Sequence, residues 1–375
     1  MEFSCEKALL LSAILNVSRA IPARSSVSAL EGIFFETDGN LLKLCGYNLE
    51  VGIQEVIEAD IVTPGSVVVA SRLLTEIVRR LPDDRVTFLL SETMVMHISC
   101  GRAVYEISAC LEGESYPRMP FVQEEGSAEL SQRMLRDMIR GTLFAVSEND
   151  TKTVHMGSKF SWDEETLTVV SIDGYRLALW KQQYEGTAPQ EDFVVPGTAL
   201  REVERLLTEE DKTVRLVLGN KHICFEFGDV TLTTRLLEGD FINYMSTIPA
   251  EQPISVSMNM REFEASIERV SLLIHEKIKN PIRIKLEKNS LYISCITALG
   301  SAKDYCSAQV EGLEQEAEGM EIGFNHRYLL EALRALPAQE CIIRLSNPLS
   351  PCVIVPREGN AFLHMILPVR LRADN

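Results

Sequence analysis

The same pattern of residues returns three times along this chain at intervals of roughly 125 residues, and a fold must accommodate that repetition before anything else. One copy runs Val67-Val68-Val69-Ala70-Ser71-Arg72-Leu73-Leu74 and on to Leu81-Pro82. The second runs Val194-Val195-Pro196-Gly197-Thr198-Ala199-Leu200 to Leu207, and the third Ile322-Gly323-Phe324-Asn325-His326-Arg327-Tyr328-Leu329 to Leu336-Pro337. Leu74, Leu200 and Leu329 fall in register, as do Leu81, Leu207 and Leu336, so each copy is a strand end running into a helix with one apolar face. A second element recurs at nearly the same offset: a helix-like stretch leads from Cys5 to Val17-Ser18, from Leu130 to Val146-Ser147, and from Met258 to Val270-Ser271. Ser131 and Asn259 are placed to cap these helices with a side-chain oxygen.

Between the helices the residues alternate as in strands. Gly32 to Thr37 and Leu41 to Gly46 flank Asp38-Gly39-Asn40, a turn sequence that supplies a positive φ. Met156 to Trp162 with Leu167 to Ser171, and Ile282 to Leu286 with Leu291 to Cys295, repeat the plan. Another hairpin follows each second helix, for example Val86 to Leu90 with Met94 to Ser99. The fold class is therefore α+β: three modules, each an antiparallel sheet carrying two helices, over residues 1–120, 121–250 and 251–375. Each is large enough to bury its own core. The proline-bearing joins Tyr116 to Phe121 and Ile248 to Pro253 predict stiff connections.

Composition limits the function classes. No apolar run is long enough to span a bilayer, and the stretch from Ala8 to Leu15 lacks the basic leader of a signal peptide, which predicts a cytoplasmic protein without a membrane partner. The nine cysteines form no Cys-x-x-Cys pair and none stands beside a histidine at metal-ligand spacing, which predicts buried thiols, no metal and no cofactor. No nucleophile motif, phosphate-binding loop or metal-protease motif occurs, the six histidines are scattered, and the acid pairs differ between the repeats, so no catalytic residue is assigned. A net charge of −17 opposes a surface coated in nucleic acid. Arginine nevertheless gathers in the repeated helices while acid gathers in segments such as Glu209-Glu210-Asp211 and Glu311 to Glu318. Two readings of that asymmetry stay open: a basic face that attracts phosphate, or arginines that solvate helix surfaces and pair with nearby glutamates.

Ser171-Ile172-Asp173-Gly174-Tyr175-Arg176-Leu177-Ala178 is the most distinctive short segment, a turn with an aromatic and a guanidinium beside it. The segment Met365-Ile366-Leu367-Pro368-Val369-Arg370-Leu371 near the C-terminus would be exposed unless it lined a groove. These segments, with Gly239-Asp240-Phe241 and Ile322-Gly323-Phe324-Asn325, occur in the order found in the beta sliding clamps of bacterial DNA polymerase III, and the chain resembles that family over residues 1–371.

The resemblance implies a non-enzymatic processivity factor: two copies closing head to tail into a ring around double-stranded DNA without reading its sequence. Its partners would be the replicative polymerase, the clamp loader and other replication and repair proteins carrying a clamp-binding motif. Carried over by position, the DNA-facing residues would be Arg24, Arg72, Arg79, Arg80, Arg136, Arg140, Arg201 and Arg205, and the dimer contacts Tyr105, Ile107, Leu272 and Leu273. A peptide groove would comprise His155, Ile172, Gly174, Tyr175, Arg176, Leu177, Ile242, Thr247, Asn325, Tyr328, Leu349, Pro351, Met365, Leu367, Pro368, Val369 and Arg370. His155, Ile242 and Ser246 depart from the family pattern, Gly197-Thr198 stands where a basic pair is frequent, and Arg372 to Asn375 extend past the usual end. A three-module protein-binding scaffold that does not encircle DNA is the competing reading, and a hydrolase using an unrecognised carboxylate pair is a more distant one.

Overall fold

The computed structural model describes every residue except 109, 164, 209–211, 276–279, 313–318, 338–340 and 372–375, together with the side chains of Cys110 and Asp150. Glu164, Glu209, Glu210, Asp211, most of the acidic run 311–318 and the Arg372 to Asn375 extension thus lie outside the described residues.

In the first repeat, β1 (Glu2–Glu6) leads into α1 (Lys7–Val17). Then come β2 (Gly32–Asp38), β3 (Leu41–Tyr47), β4 (Val51–Glu58), β5 (Asp60–Thr63), β6 (Ser66–Ala70), α2 (Ser71–Arg80), β7 (Arg85–Leu90), β8 (Met96–Cys100), β9 (Ala103–Ile107) and β10 (Cys110–Glu112). The second repeat holds β11 (Gly126–Ser131), α3 (Gln132–Thr142), β12 (Gly157–Asp163), β13 (Thr166–Ile172), β14 (Arg176–Gln183), β15 (Phe193–Pro196), α4 (Gly197–Leu206), β16 (Thr213–Leu218), β17 (His222–Phe227) and β18 (Val230–Arg235). The third holds β19 (Ile254–Met258), α5 (Met260–Ser271), β20 (Ile282–Glu287), β21 (Ser290–Thr297), β22 (Gly300–Glu311), β23 (Glu321–Phe324), α6 (His326–Arg334), β24 (Cys341–Leu345), β25 (Cys352–Pro356) and β26 (Phe362–Ile366).

Compactness divides the chain differently from the repeats. One unit is Met1–Arg133, Gly186–Gln190 and Arg201–Leu236; the other is Met134–Glu185, Glu191–Leu200 and Leu237–Asn375. The boundary cuts through the middle repeat because its strands are shared out. In the first unit a nine-stranded sheet runs β10-β6-β2-β3-β4-β18-β17-β16-β11, beside a five-stranded sheet β5-β1-β7-β8-β9. In the second a twelve-stranded sheet runs β15-β12-β13-β14-β26-β25-β24-β19-β22-β21-β20-β23. Each unit therefore contains one junction of the same kind, in which the last strand of one repeat pairs antiparallel with the fourth-type strand of the repeat before it. β18 lies on β4 with Leu232 opposite Ile53, and β26 lies on β14 with His364 opposite Ala178.

The helices sit where their apolar stripes dictate. Leu74, Ile77 and Val78 of α2, Leu135, Met138 and Ile139 of α3, Ala199, Leu200 and Val203 of α4, and Leu329, Leu330 and Leu333 of α6 are buried, and their arginines lie on the other faces. Asn259 caps α5 as its type predicts, its Oδ1 accepting the Arg261 and Glu262 amides, and Asn325 caps α6 in the same way through Arg327. The turn at Gly39 has φ +58°, and Gly174 has φ +88°, so both Asp-Gly turns use the conformation that glycine permits. The eight cysteines with described side chains are buried free thiols; burial pushes the Cys45 and Cys352 thiols up to about 12, which keeps them protonated and unreactive.

One polar group lies at the heart of the second junction. His364, in β26, is fully buried, and its ring lies edge-on to Phe144 at 4.9 Å between centroids. Its Nε2 is 2.8 Å from the Gly141 carbonyl, so that nitrogen must carry the proton and donate. Gly141 has no room for a side chain, since a Cβ there would lie 2.1 Å from the Trp180 ring. Burial lowers the His364 pKa from 6.5 to about 4, so the folded unit requires a neutral ring that the unfolded chain protonates more readily. The stabilising contribution is complete above pH 6.5 and is lost as pH falls from there towards 4, with a ceiling of about 3 kcal/mol. Urea titrations at pH 7.5 and pH 4.5 should show the second unit losing stability in acid, and His364→Gln, which keeps a donor for Gly141, should make that loss smaller; an unchanged pH dependence in the variant would assign the acid sensitivity to other groups.

Candidate functional site

Two shallow clefts lie in the second unit, and the segment after β26 lines the smaller of them. The larger, of ≈ 670 Å³, is lined by His155, Ile172, Gly174, Tyr175, Arg176, Ile242, Asn325 and Tyr328 of the expected groove, and also by Val146, Lys152, His275, His326, Arg327 and Glu331. The smaller, of ≈ 360 Å³, is lined by Leu349, Val369 and Arg370 with Glu321, Gly323, Pro348 and Leu371.

The segment after β26 connects them through backbone hydrogen bonds. The Leu367 amide donates to the Tyr175 carbonyl at 2.9 Å, and the Val369 amide donates to the Gly323 carbonyl at 2.8 Å. Gly323 has to be glycine for this: a Cβ would lie 2.6 Å from both the Val369 carbonyl and the Leu371 side chain. The motif containing Gly323 was visible in the sequence, but its role in seating the tail was not.

Beneath the larger cleft the Asp-Gly turn is tied down by its own aspartate. Asp173 Oδ1 accepts the amides of Tyr175 at 2.9 Å and Arg176 at 3.0 Å, while Oδ2 accepts Arg176 Nε at 2.9 Å. The Arg176 guanidinium is about nine-tenths buried, also ion-pairs with Glu331, and stacks over Tyr328 at 4.5 Å and Phe144 at 5.5 Å. Tyr175, largely exposed, stacks on Tyr328 at 6.0 Å. Arg176 thus fixes the cleft floor rather than presenting a free charge. Phe144 and Glu331 complete that floor, and no sequence signal marked them, because they come from other elements.

Leu177, Met365 and Ile172 pack in an apolar cluster with Val170, Leu179 and Val353, on which Phe241, Tyr244 and Ile248 rest. These three expected groove residues are buried, so the apolar surface open to a ligand comes instead from Tyr175, Ile242, Leu349, Leu367 and Val369. Thr247 is half-buried with its hydroxyl donated to the Tyr244 carbonyl at 2.6 Å, Pro351 precedes β25, and Pro368 lies in the tail. His155 packs edge-on against Phe241 at 5.6 Å; burial, aided by Lys152, lowers its pKa, so it behaves as a neutral aromatic. That reconciles a histidine with a position where an apolar side chain was expected.

The arginines assigned to DNA divide into two kinds. Arg24, Arg72, Arg79, Arg80, Arg140, Arg201 and Arg205 are exposed, while Arg136 is half-buried with its Nε out of solvent. Glu76 pairs with Arg79 at 3.2 Å and also with Arg80, and Glu202 pairs with Arg205 at 2.7 Å, so several positive charges are already answered on their own helix. Gly197 carries no cation for a steric reason: a Cβ there would lie 2.8 Å from Val146.

Of the expected dimer contacts, Leu272 is 83% exposed and Tyr105 37%, but Ile107 is 3% exposed and already buried in its own module. Tyr105 belongs to β9, the edge of the five-stranded sheet. A second bare edge escaped the sequence reading. β22 pairs with β19 only from Ala308 onward, and its part from Gly300 to Ser307 has β21 on one side and no described strand on the other.

Among the described residues no group of three or more histidine, cysteine or acidic side chains gathers at metal-binding range, and no helix is long and apolar enough to cross a membrane.

Family models for the DNA polymerase III beta subunit match the chain in three consecutive pieces: the N-terminal domain over residues 1–120, the central domain over 129–243 and the C-terminal domain over 245–370. This chain belongs to the DNA polymerase III beta subunit family. The beta sliding clamp of Synechococcus elongatus is 30% identical to it over the full length of both chains. That of Halalkalibacterium halodurans is 28% identical, covering 99% of this chain and 100% of the other. Among solved structures, a DNA polymerase III beta subunit from Eubacterium rectale superimposes with TM-score 0.92 at 31% identity, covering 98% of this chain and 99% of the other. The sliding clamp of Bartonella birtlesii bound to griselimycin superimposes with TM-score 0.91 at 26% identity, covering 99% of this chain and 100% of the other.

Because Arg176 is buried among two carboxylates, Arg176→Met should leave Asp173 and Glu331 without their counter-charge at a cost of about 3 kcal/mol or more. Chemical denaturation of the variant, read by a probe in the second unit, checks this; a loss below about 1 kcal/mol would mean that the pair is solvated.

Proposed function

We propose that this chain is a DNA sliding clamp, a non-catalytic tether that closes head to tail with a second copy around duplex DNA and captures partner peptides in the cleft of Tyr175 and Tyr328 and in its smaller neighbour. The observation that carries the reading is the repeated strand junction. β4 takes β18 and β14 takes β26, while the corresponding strands of the third and first repeats, β22 and β9, are left bare. A bare edge is a template for pairing, and two complementary ones on one chain are satisfied by a second copy.

The internal junctions also supply a register. Asn48, Asp173 and Thr297 each accept, through a side-chain oxygen, the amide two residues on, which marks them as equivalent. Ile98, Phe225 and Ile354 lie opposite Tyr105, Leu232 and His364 in the three final hairpins. Leu232 meets Ile53 and His364 meets Ala178, each five residues past its marker, so Tyr105 meets the partner's Ala302 and Glu106 meets the partner's Ser301.

DNA attraction rests on the exposed helix arginines. With several held by glutamates, the grip is weak and salt-sensitive, as suits a ring retained by topology rather than affinity. Peptide capture rests on the apolar cleft walls and on the backbone-tethered tail, the combination expected of a groove for short linear motifs. Action on DNA places the protein in the cytoplasm.

The ring is tested by Glu106→Cys with Ser301→Cys, whose β-carbons should come within disulfide reach across the joint. The variant loaded on circular duplex by a clamp loader with ATP and then oxidised should be a covalent dimer that stays on the circle and slides off once the circle is linearised, unless the ends are blocked. Crosslinking by Glu106→Cys with Lys303→Cys instead would shift the register, and failure of both pairs would remove the ring in favour of a scaffold. Removing residues 367–375, which spares β26, should abolish binding of a peptide with leucine and phenylalanine anchors while the dimer persists; retained binding would move the groove elsewhere.

A further inference from the structure

One glutamate recurs at the same place in every second helix. Glu76, Glu202 and Glu331 each stand two residues past the buried leucines Leu74, Leu200 and Leu329. In the two internal junctions this glutamate reaches an arginine of the preceding repeat: Glu202 lies 3.9 Å from Arg19, and Glu331 pairs with Arg176. Both pairs are partly shielded from solvent. In both cases the second helix is thus clipped to the preceding repeat, through the turn Ser18–Ala20 in one and through the start of β14 in the other.

At the two corresponding positions of the third repeat the sequence offers the third glutamate no arginine. Arg19 follows Val17-Ser18, and the corresponding residue after Val270-Ser271 is Leu272. Arg176 is three residues past Asp173, and the corresponding residue past Thr297 is Gly300. Both cation positions are therefore empty of charge in the third repeat. The neighbouring Arg269 is held by Asp304 at 2.7 Å. Glu76 turns instead onto Arg79 and Arg80 of its own helix, and hydrogen bonding from Arg80 holds its carboxyl below the usual range. Arg80 in turn lies within electrostatic range of Tyr105, which puts this end of α2 beside the bare edge β9. Across the strand register Glu106 lies diagonal to the partner's Lys303, an exposed pair in which Glu106 also meets His97.

We propose that the joint between subunits is built on the plan of the two internal junctions but without their glutamate–arginine clip, which leaves it weaker than either, and that Glu76 is the unused half of that clip. The proposal rests on the dimer reading above. It predicts that the clip can be restored from one side. Gly300 has φ +139°, a conformation a side chain rarely adopts, so Leu272 is the position to use. Leu272→Arg keeps an aliphatic stem while offering Glu76 of the partner subunit the charge that Arg19 offers Glu202.

The test is a double-mutant cycle of Leu272→Arg and Glu76→Gln, with the dimer dissociation constant measured by sedimentation at low protein concentration in about 0.1 M salt. Leu272→Arg alone carries any loss of leucine packing, and the cycle removes it. We expect a favourable coupling of about fivefold in dissociation constant, vanishing in about 1 M salt, with release from nicked circular duplex slowed by a similar factor. Glu76→Gln alone should leave the dimer within twofold of the parent. No coupling, or coupling that survives high salt, overturns the proposal. The Glu106→Cys and Ser301→Cys crosslink separates the two failures: a crosslink without coupling rejects the clip and keeps the ring, whereas no crosslink rejects the ring itself.

Discussion

Everything in this molecule depends on strand pairing between consecutive repeats. A β-strand at a sheet edge presents unpaired amides and carbonyls, and a folded chain must cover, charge or pair them. Here β18 covers β4 and β26 covers β14, so the same backbone interaction that holds each module together also welds one module to the next. That is why compactness divides the chain through its middle repeat: sheets, not repeats, set the compact units.

The repeat was legible because apolar registers and turn residues act locally. Leu74, Leu200 and Leu329 announced the second helices, and Asp38-Gly39 announced a hairpin whose φ the backbone confirms. Asn259 was readable as a cap because capping needs only a side-chain oxygen and the next few amides. What stayed hidden was set by distant partners. Ile107 reads as an edge contact from its strand alone, yet the fold beneath buries it. Arg176 reads as a binding guanidinium, yet Glu331 and Phe144, far away in sequence, make it a structural cation. The open half of β22 could not be foreseen, since its bareness is a property of sheet order rather than of composition.

The two readings of the arginine-rich helices turn out to be compatible. Glu76 and Glu202 do pair with arginines on their own helices, and the arginines of those pairs stay exposed. If these helices face DNA as proposed, a net charge of −17 with leashed arginines would give a surface that DNA visits without adhering. For a body that must travel along a polyanion, such half-neutralised contacts keep friction low.

The tail after β26 forms part of the wall it crosses, held at Tyr175 and again at Gly323. A sequence appended to the C-terminus would follow Leu371, which lines the smaller cleft, by only four residues, and would present itself there at the high effective concentration of an intramolecular ligand. If the clefts are the proposed peptide groove, even a weak motif carried there would outcompete a free peptide, so fusions belong at the other end of the chain when the groove must stay open, and a tethered motif at this end would be a simple way to hold it shut.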